Sequence, residues 1–371
     1  MSHRRPFFSV IMPAHNGEAM LPRTLGALRA SNMPTDDWEL IVVDDASADD
    51  TAVIAACYAD TVVRLPGKPH GPAYARNRGA EVARGECLAF FDADVVVQPD
   101  TMTRYADVLR SNPDVAAVFG AYDTHPPAPG LMSQYRNLLH HYVHSRNAGD
   151  VETFWAGAGV IRRGVFEEAG MYDEWHFARP QIEDIELGHR IRSLGYRILL
   201  RPEIQVTHLK HWTFASVVRT DLRDRGIPWA RLLAHRGTML TSGTLNLKWT
   251  EKLNTVFVWL STALLVAALV MRNATILVPI PILLGIVVGI NHRLHAFFFR
   301  ERGILFGLAV IPVHLMYYLL NGISFGFGLL LHEALGAPVQ DPTVDAFAEV
   351  GVRSWPPVPQ KDRRSSWTRQ D

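Results

Sequence analysis

Apolar residues in this chain fall into two regimes. Up to about Leu247 they come in short runs separated by polar segments. Phe7–Met12 is one such run, stopped by Pro13 and Asn16. Leu40–Val43 is a second and ends on Asp44 and Asp45. "TVVRL" (61–65) is a third, and "CLAFF" (87–91) leads into Asp92 and Asp94. The runs do not alternate, which predicts strands buried on both faces. Helices are predicted between them. Leu21–Ala30 places Leu21, Leu25 and Leu28 on one face. Thr51–Tyr58 follows caps in Ser47–Asp50, and "HGPAYARNRGAEVARGE" is a glycine-bounded helix. Strand–helix repetition of this kind predicts an α/β domain with a mostly parallel sheet covered on both faces. Ligands bind such sheets at the carboxyl ends of the strands.

After Leu247 the runs lengthen. Leu253–Met271 and Ala274–Ile290 carry no charge, and Ile304–Leu331 has only His314 and Asn321 as strongly polar side chains. A membrane span needs roughly 20 apolar residues. About three transmembrane helices are therefore expected, over residues 253–334. Lys248 and Lys252 precede the first. Arg293, Arg300 and Arg302 separate the second from the third. Basic flanks face the cytosol, which puts the Arg272–Asn273 turn outside. A third full crossing would put the tail outside too, yet Arg353, Lys361, Arg363, Arg364 and Arg369 make it basic. Either Ile304–Leu331 is re-entrant or bent, or the tail's charge does not set topology. The expected organisation is a soluble domain over 1–235, an interfacial linker over 236–252, the spans, and a disordered polar tail over 335–371.

Composition narrows the partners. Lys plus Arg and Asp plus Glu both number 37, so bulk charge predicts no nucleic-acid partner. The first apolar run is too short for a signal peptide. Two cysteines, Cys57 and Cys87, suit reduced thiols on the cytosolic side. The expected location is an inner or plasma membrane with the soluble domain in the cytosol. The oligomeric state is left open.

Three strand ends bring polar groups to one edge: Pro13-Ala14-His15-Asn16, Asp44-Asp45 and Asp92-Ala93-Asp94. Asp92 and Asp94, two apart on an extended segment, would share a face and attract a hard cation such as Mg2+ or Mn2+. In "IEDIELGHRIRSLGYRI", Asp184, Leu187, Ile191 and Leu194 share one helix face, with Glu183, Glu186 and Arg190 on the other. Asp184 thus begins the inward face at a helix start, where a carboxylate suits general-base work. "RTDLRDRGIPWARLLAHRG" interleaves arginines with Leu and Trp, as an interfacial segment does. Arg225 or Arg231 could clamp a diphosphate or face headgroups.

Together, "SVIMPAHNGE", "IVVDDASADDT", "GPAYARNRGA", "FFDADVVV", "WAGAGVIRRGVFEEAGMYDE" and "IEDIELGHRIRSLGYRI" run in the order found in family 2 glycosyltransferases of the GT-A fold. The chain resembles that family over about its first 210 residues. The resemblance implies a GT-A catalytic domain, a nucleotide-sugar donor, a divalent metal and transfer to an acceptor. It assigns metal binding to Asp92 and Asp94, with His208 as a third candidate ligand, and the base to Asp184. It places Pro13, Asn16, Glu18, Asp44, Asp45, Arg76, Asp92, Trp155, Gly157 and Glu183 around donor and acceptor. With the spans behind it, the domain is expected to serve a lipid-linked or other glycan acceptor in contact with membrane lipid. A polyprenyl phosphate acceptor is the alternative, since an anion hardly needs a base. A non-catalytic nucleotide-binding scaffold is the remoter one.

Overall fold

The computed structural model describes residues 5–177, 179–237 and 248–336. All but the first two residues of the tail expected over 335–371, and most of the linker expected over 236–252, lie outside them.

One sheet organises the first 210 residues. Its strands are β1 (Phe8–Ala14), β2 (Trp38–Asp44), β3 (Thr61–Arg64), β4 (Cys87–Phe91), β5 (Val95–Val97), β6 (Val115–Tyr122), β7 (Gly149–Val151), β8 (Ala158–Arg162) and β9 (Arg197–His208). The order is β3-β2-β1-β4-β8-β6-β9-β5, with β7 also on β9. The first four strands are mutually parallel, as their unbroken apolar runs predict. From there the sheet is mixed: β8 runs antiparallel to both β4 and β6. The fold is therefore α/β, with a sheet less uniformly parallel than expected. Pro13 sits inside β1, beyond the last pairing with β4 (Ile11 with Phe90), where an absent N–H costs no ladder bond on that side.

Helices α1 (Leu21–Arg29), α2 (Thr51–Ala56), α3 (Pro72–Val82), α4 (Thr101–Ser111), α5 (Leu131–Ser145), α6 (Arg163–Glu168) and α7 (Glu183–Ser193) cover the sheet. Two apolar layers result, one around Leu25, Leu40 and Tyr105 and one around Ile41, Phe90 and Phe166. α7 departs from its expected faces. Leu194 is exposed, whereas Glu183 and Glu186 are buried. The acids go inward because each finds a guanidinium, Glu183 at Arg76 and Glu186 at Arg190.

α8 (Phe214–Arg219), a π-helical stretch over Thr220–Gly226 and α9 (Ile227–Arg236) form one helical rod after β9. Gly226 lets the rod cross the last helix closely, since a Cβ there would lie 2.3 Å from the Ser324 hydroxyl and from the Asp221 carbonyl. α10 (Trp249–Val270) and α12 (His292–Leu335) are long and apolar enough to cross a membrane; α11 (Pro279–Ile290), preceded by a 3-10 turn, is shorter. About three spans were expected, and the residues described form two long helices and one short. Pro279 at its first turn delays α11. α12 breaks at Gly303, whose φ is 82°. Beyond the break it runs along the α/β domain. Arg302 donates to Gln134 Oε1 (2.8 Å) and to the Thr124 carbonyl (2.6 Å) at one end, and Arg231 donates to the Gly336 carbonyl (3.1 Å) at the other. Residues flanking both ends of the third apolar run thus touch the same domain.

Candidate active site

The loops after β1 and β2 interlock. Asn16, in the left-handed region (φ 49°), donates its N–H to Ser47 Oγ (2.9 Å) and accepts from the Ala48 N–H (2.9 Å). Glu18 accepts from the Asp50 N–H (3.1 Å), and its own N–H donates to Asp49 (3.1 Å). Asp49 also accepts from the N–H and hydroxyl of Thr51, the first residue of α2. Asp44 and Asp45 are both nearly fully buried. Asp44 accepts from the Ser47 N–H (3.1 Å) and lies 3.6 Å from Arg64. Asp45 accepts from the N–H groups of His70 (2.8 Å) and Gly71 (2.8 Å) at the start of α3. Pro13, Asn16, Glu18, Asp44 and Asp45 thus gather at one sheet edge, with the polar atoms of the last four engaged in holding the loops.

Asp92 and Asp94 are not on an extended segment. The Val95 N–H closes a turn onto the Asp92 carbonyl (3.0 Å), and the two carboxylates take different partners, Arg76 and His208. Period-two alternation requires extended backbone, and the strand ends at Phe91. Asp92, expected beside Asp94 as a metal ligand, instead accepts from Arg76 Nη2 at 2.6 Å. Arg76, rising from α3 and 3% exposed, gives its other amino group to Glu183 (3.0 Å). Burial opposes the Arg76 charge, but Asp92, Glu183 and Asp184 together hold its pKa above the usual value. Glu183 therefore faces this guanidinium.

Asp94 faces His208 at the end of β9, with Oδ2 and Nε2 3.4 Å apart. Burial pushes the Asp94 carboxyl up, but the His208 hydrogen bond and charge, with Lys210, hold it below its ordinary value. His208 is fixed on both sides. Tyr122 stacks on its ring at 4.2 Å, and Nδ1 donates to Asn137 Oδ1 at 2.6 Å. With Nδ1 so engaged, Nε2 is the ring atom turned toward the Asp94 carboxylate, where a proton or a divalent cation can bridge the two. Asp94 and His208 thus fit two ligands of a divalent ion. Among the described residues no group of three His, Cys, Asp or Glu converges to hold a metal, so the remaining positions would fall to donor oxygens or water.

Asp184 lies across the Trp155–Gly157 loop. The Ala156 N–H donates to its carboxylate (3.2 Å), and the adjacent Gly157 carbonyl accepts from the Asp92 N–H (3.2 Å). The two acids are therefore held to consecutive residues. Burial, then the Glu183 charge, pushes the Asp184 carboxyl up to about 6 against the pull of Arg76. Gly157 leaves no room for a side chain, since a Cβ would lie 2.6 Å from the Trp155 ring. Trp155 packs edge-on to Tyr122 (4.8 Å).

Asp184 opens into a cavity of about 170 Å³ shared with His140, Trp155, Arg225, Trp229, Tyr317 and Asn321. Arg225 lies in the wall, while Arg231 points to the Gly336 carbonyl. Arg136 braces the π-helical stretch through a bidentate pair with Asp221 (2.6 and 3.2 Å). The sequence reading missed α5 altogether, although it supplies Arg136, Asn137, His140 and His144. The signal was there: Asn137, His140 and His144 recur at three and four residues, one face of a helix. His211, three residues after His208, is exposed.

The profile of glycosyl transferase family 2 matches residues 9–170. A probable glycosyltransferase, YdaM of Bacillus subtilis, is 29% identical over 53% of this chain and 49% of its own length. Validoxylamine A glucosyltransferase of Streptomyces hygroscopicus subsp. limoneus is 33% identical over 51% of this chain and 49% of its own. The chain spans about half the length of these two relatives. Glycosyltransferase AglE of Haloferax volcanii is 34% identical over 56% of this chain and 68% of its own. Among solved structures, a mannosyltransferase from Pyrobaculum calidifontis, in complex with GDP-Man and Mn2+, superimposes with a TM-score of 0.52 at 18% identity. It covers 87% of this chain and 88% of its own, a likeness of fold.

Proposed function

The chain belongs to glycosyltransferase family 2, and from that premise we propose a membrane-bound inverting glycosyltransferase. It would move one sugar from a nucleotide-diphosphate-sugar to a hydroxyl of a lipid-linked or membrane-delivered saccharide. The catalytic domain would occupy residues 1–235 on the cytosolic side, with residues 253–334 holding it at the membrane. The observation that carries this reading is the tethering of Asp92 and Asp184 to consecutive residues of one loop, beside Asp94 and His208.

Each residue then has a task. Asp94 and His208 would hold Mg2+ or Mn2+, the class of ion bound by the Pyrobaculum mannosyltransferase. When bound, such an ion neutralises charge on a departing diphosphate. Arg76 locks Asp92 and Glu183 and sets the loop geometry. Asp184 accepts the acceptor hydroxyl proton. The acceptor oxygen then bonds to the anomeric carbon as the bond from that carbon to the diphosphate oxygen breaks. One displacement on the face opposite the leaving group inverts the centre. Holding the hydroxyl beside its base supplies the orientation such a step needs. Trp155 and Trp229 offer flat apolar faces for a sugar ring, and Arg225 a cation for an anionic group in the same cavity.

The test is a donor panel of UDP-, GDP- and dTDP-sugars on the purified chain with Mn2+ or Mg2+. Nucleoside diphosphate release and glycosylated product are measured with and without membrane lipid. Metal-dependent release with at least one donor is expected. No release from any donor with either metal removes the reading.

A further inference from the structure

A second cavity of about 220 Å³ lies beyond the first. α5, the start of α10, the end of α11 and the start of α12 build it. Leu139, Val143 and Tyr317 line both cavities, so the two share a wall. Three cations line the second: Arg146, Lys248 and Arg293. Among the described residues none of them has a carboxylate at ion-pair distance. The one acid in the wall, Glu251, accepts from the Tyr318 hydroxyl at 3.1 Å. The wall therefore carries an excess of positive charge around a half-open space, which favours an anion.

The surroundings say where that anion comes from. α10 leaves the cavity at its N-terminus and α11 returns to it at its C-terminus. From Leu253 to Ile290 the only charged residue is Arg272, at the far turn. Leu253, Val256 and Leu260 of α10 and Ile282 and Ile286 of α11 expose their side chains. The cations thus sit where an apolar hairpin meets a polar domain, the level at which lipid headgroups lie. A soluble phosphate would gain nothing from that apolar flank, whereas a lipid would cover it.

We propose that this cavity takes the phosphate or diphosphate of a lipid whose chain lies along α10 and α11. The saccharide on that lipid would pass Tyr317 to reach Asp184. What arrives at Asp184 rests on the glycosyltransferase reading; the lipid-phosphate site does not.

The experiment uses the full chain in neutral detergent without donor. Farnesyl diphosphate, farnesol and inorganic pyrophosphate are titrated by calorimetry. Farnesyl diphosphate is expected to bind, with farnesol and pyrophosphate each at least about tenfold weaker. The Arg146→Ala/Arg293→Ala variant should weaken farnesyl diphosphate by about tenfold or more, and Arg146→Lys/Arg293→Lys should retain most of the affinity. Both positions are exposed, so thermal unfolding is expected to stay at the wild-type midpoint. Undiminished binding by the Ala variant overturns the proposal. So does pyrophosphate or farnesol binding as tightly as farnesyl diphosphate. A chain that shows the expected pattern but turns over no nucleotide-sugar loses the enzyme reading and keeps this site.

Discussion

Replacing Asp184 by Asn separates catalysis from folding. The amide can still accept the Ala156 N–H, so the loop contact survives. What disappears is a carboxylate whose pKa is raised from 3.8 to about 6 by burial and by Glu183. At about 1.4 kcal/mol per pH unit, that shift opposes the charged form by up to about 3 kcal/mol. The sign follows. A raised carboxyl pKa means the folded chain binds more protons than the unfolded one between pH 4 and 6, so its stability falls as pH rises through that window. Asp184→Asn should therefore be as stable as wild type or more so at pH 7.5. Its turnover should fall by about 10²- to 10⁴-fold, the usual contribution of a general base. Wild-type activity should itself drop about tenfold from pH 7.5 to pH 5, as the ionised fraction of a group with pKa near 6 falls from nearly all to about a tenth. The assay pairs thermal unfolding with initial rates of nucleoside diphosphate release across that range. Turnover within tenfold of wild type would refute the base role. A variant less stable than wild type at pH 7.5 would refute the account of the raised pKa.

Other expectations are narrower. Asp94→Asn and His208→Ala should each weaken Mn2+ binding in the presence of donor nucleotide by tenfold or more, read by the bound Mn2+ signal; unchanged affinity in both variants sinks the metal assignment. Arg76→Ala strands Asp92 and Glu183 and should cost about 3–5 kcal/mol in urea unfolding, whereas a loss below 1 kcal/mol would mean the network is not structural. In Gly188→Ala a Cβ would meet the Phe154 nitrogen at 2.3 Å, so a loss of about 1–3 kcal/mol is expected, and a wild-type unfolding midpoint would contradict it. The chain should remain in the membrane fraction after alkaline carbonate washing, and recovery in the supernatant would argue against residues 253–334 as anchors.

The residue pattern alone determined a good deal. Unbroken apolar runs ending on Pro13, Asp44 and Asp92 announced β1, β2 and β4 to within two residues at either end, because a strand covered on both faces has no polar alternation to obscure it. Ordered motifs identified the GT-A class, and uncharged stretches identified the apolar helices. The tertiary structure decided the directions of the side chains. Asp92 meets Arg76 and Asp94 meets His208 across a single turn that replaces the expected extended backbone, and a local pattern does not say where a strand stops. Glu183 and Glu186 turn inward because Arg76 and Arg190 reach them, and the Arg76 contact joins residues 107 apart in sequence. The largest omission, α5, is amphipathic on both sides. Tyr135 and Leu138 pack on Leu294 and Phe298, while Asn137 and His140 face the site. A helix wedged between two bodies shows no single polar face, so its place became visible only once both neighbours were folded against it.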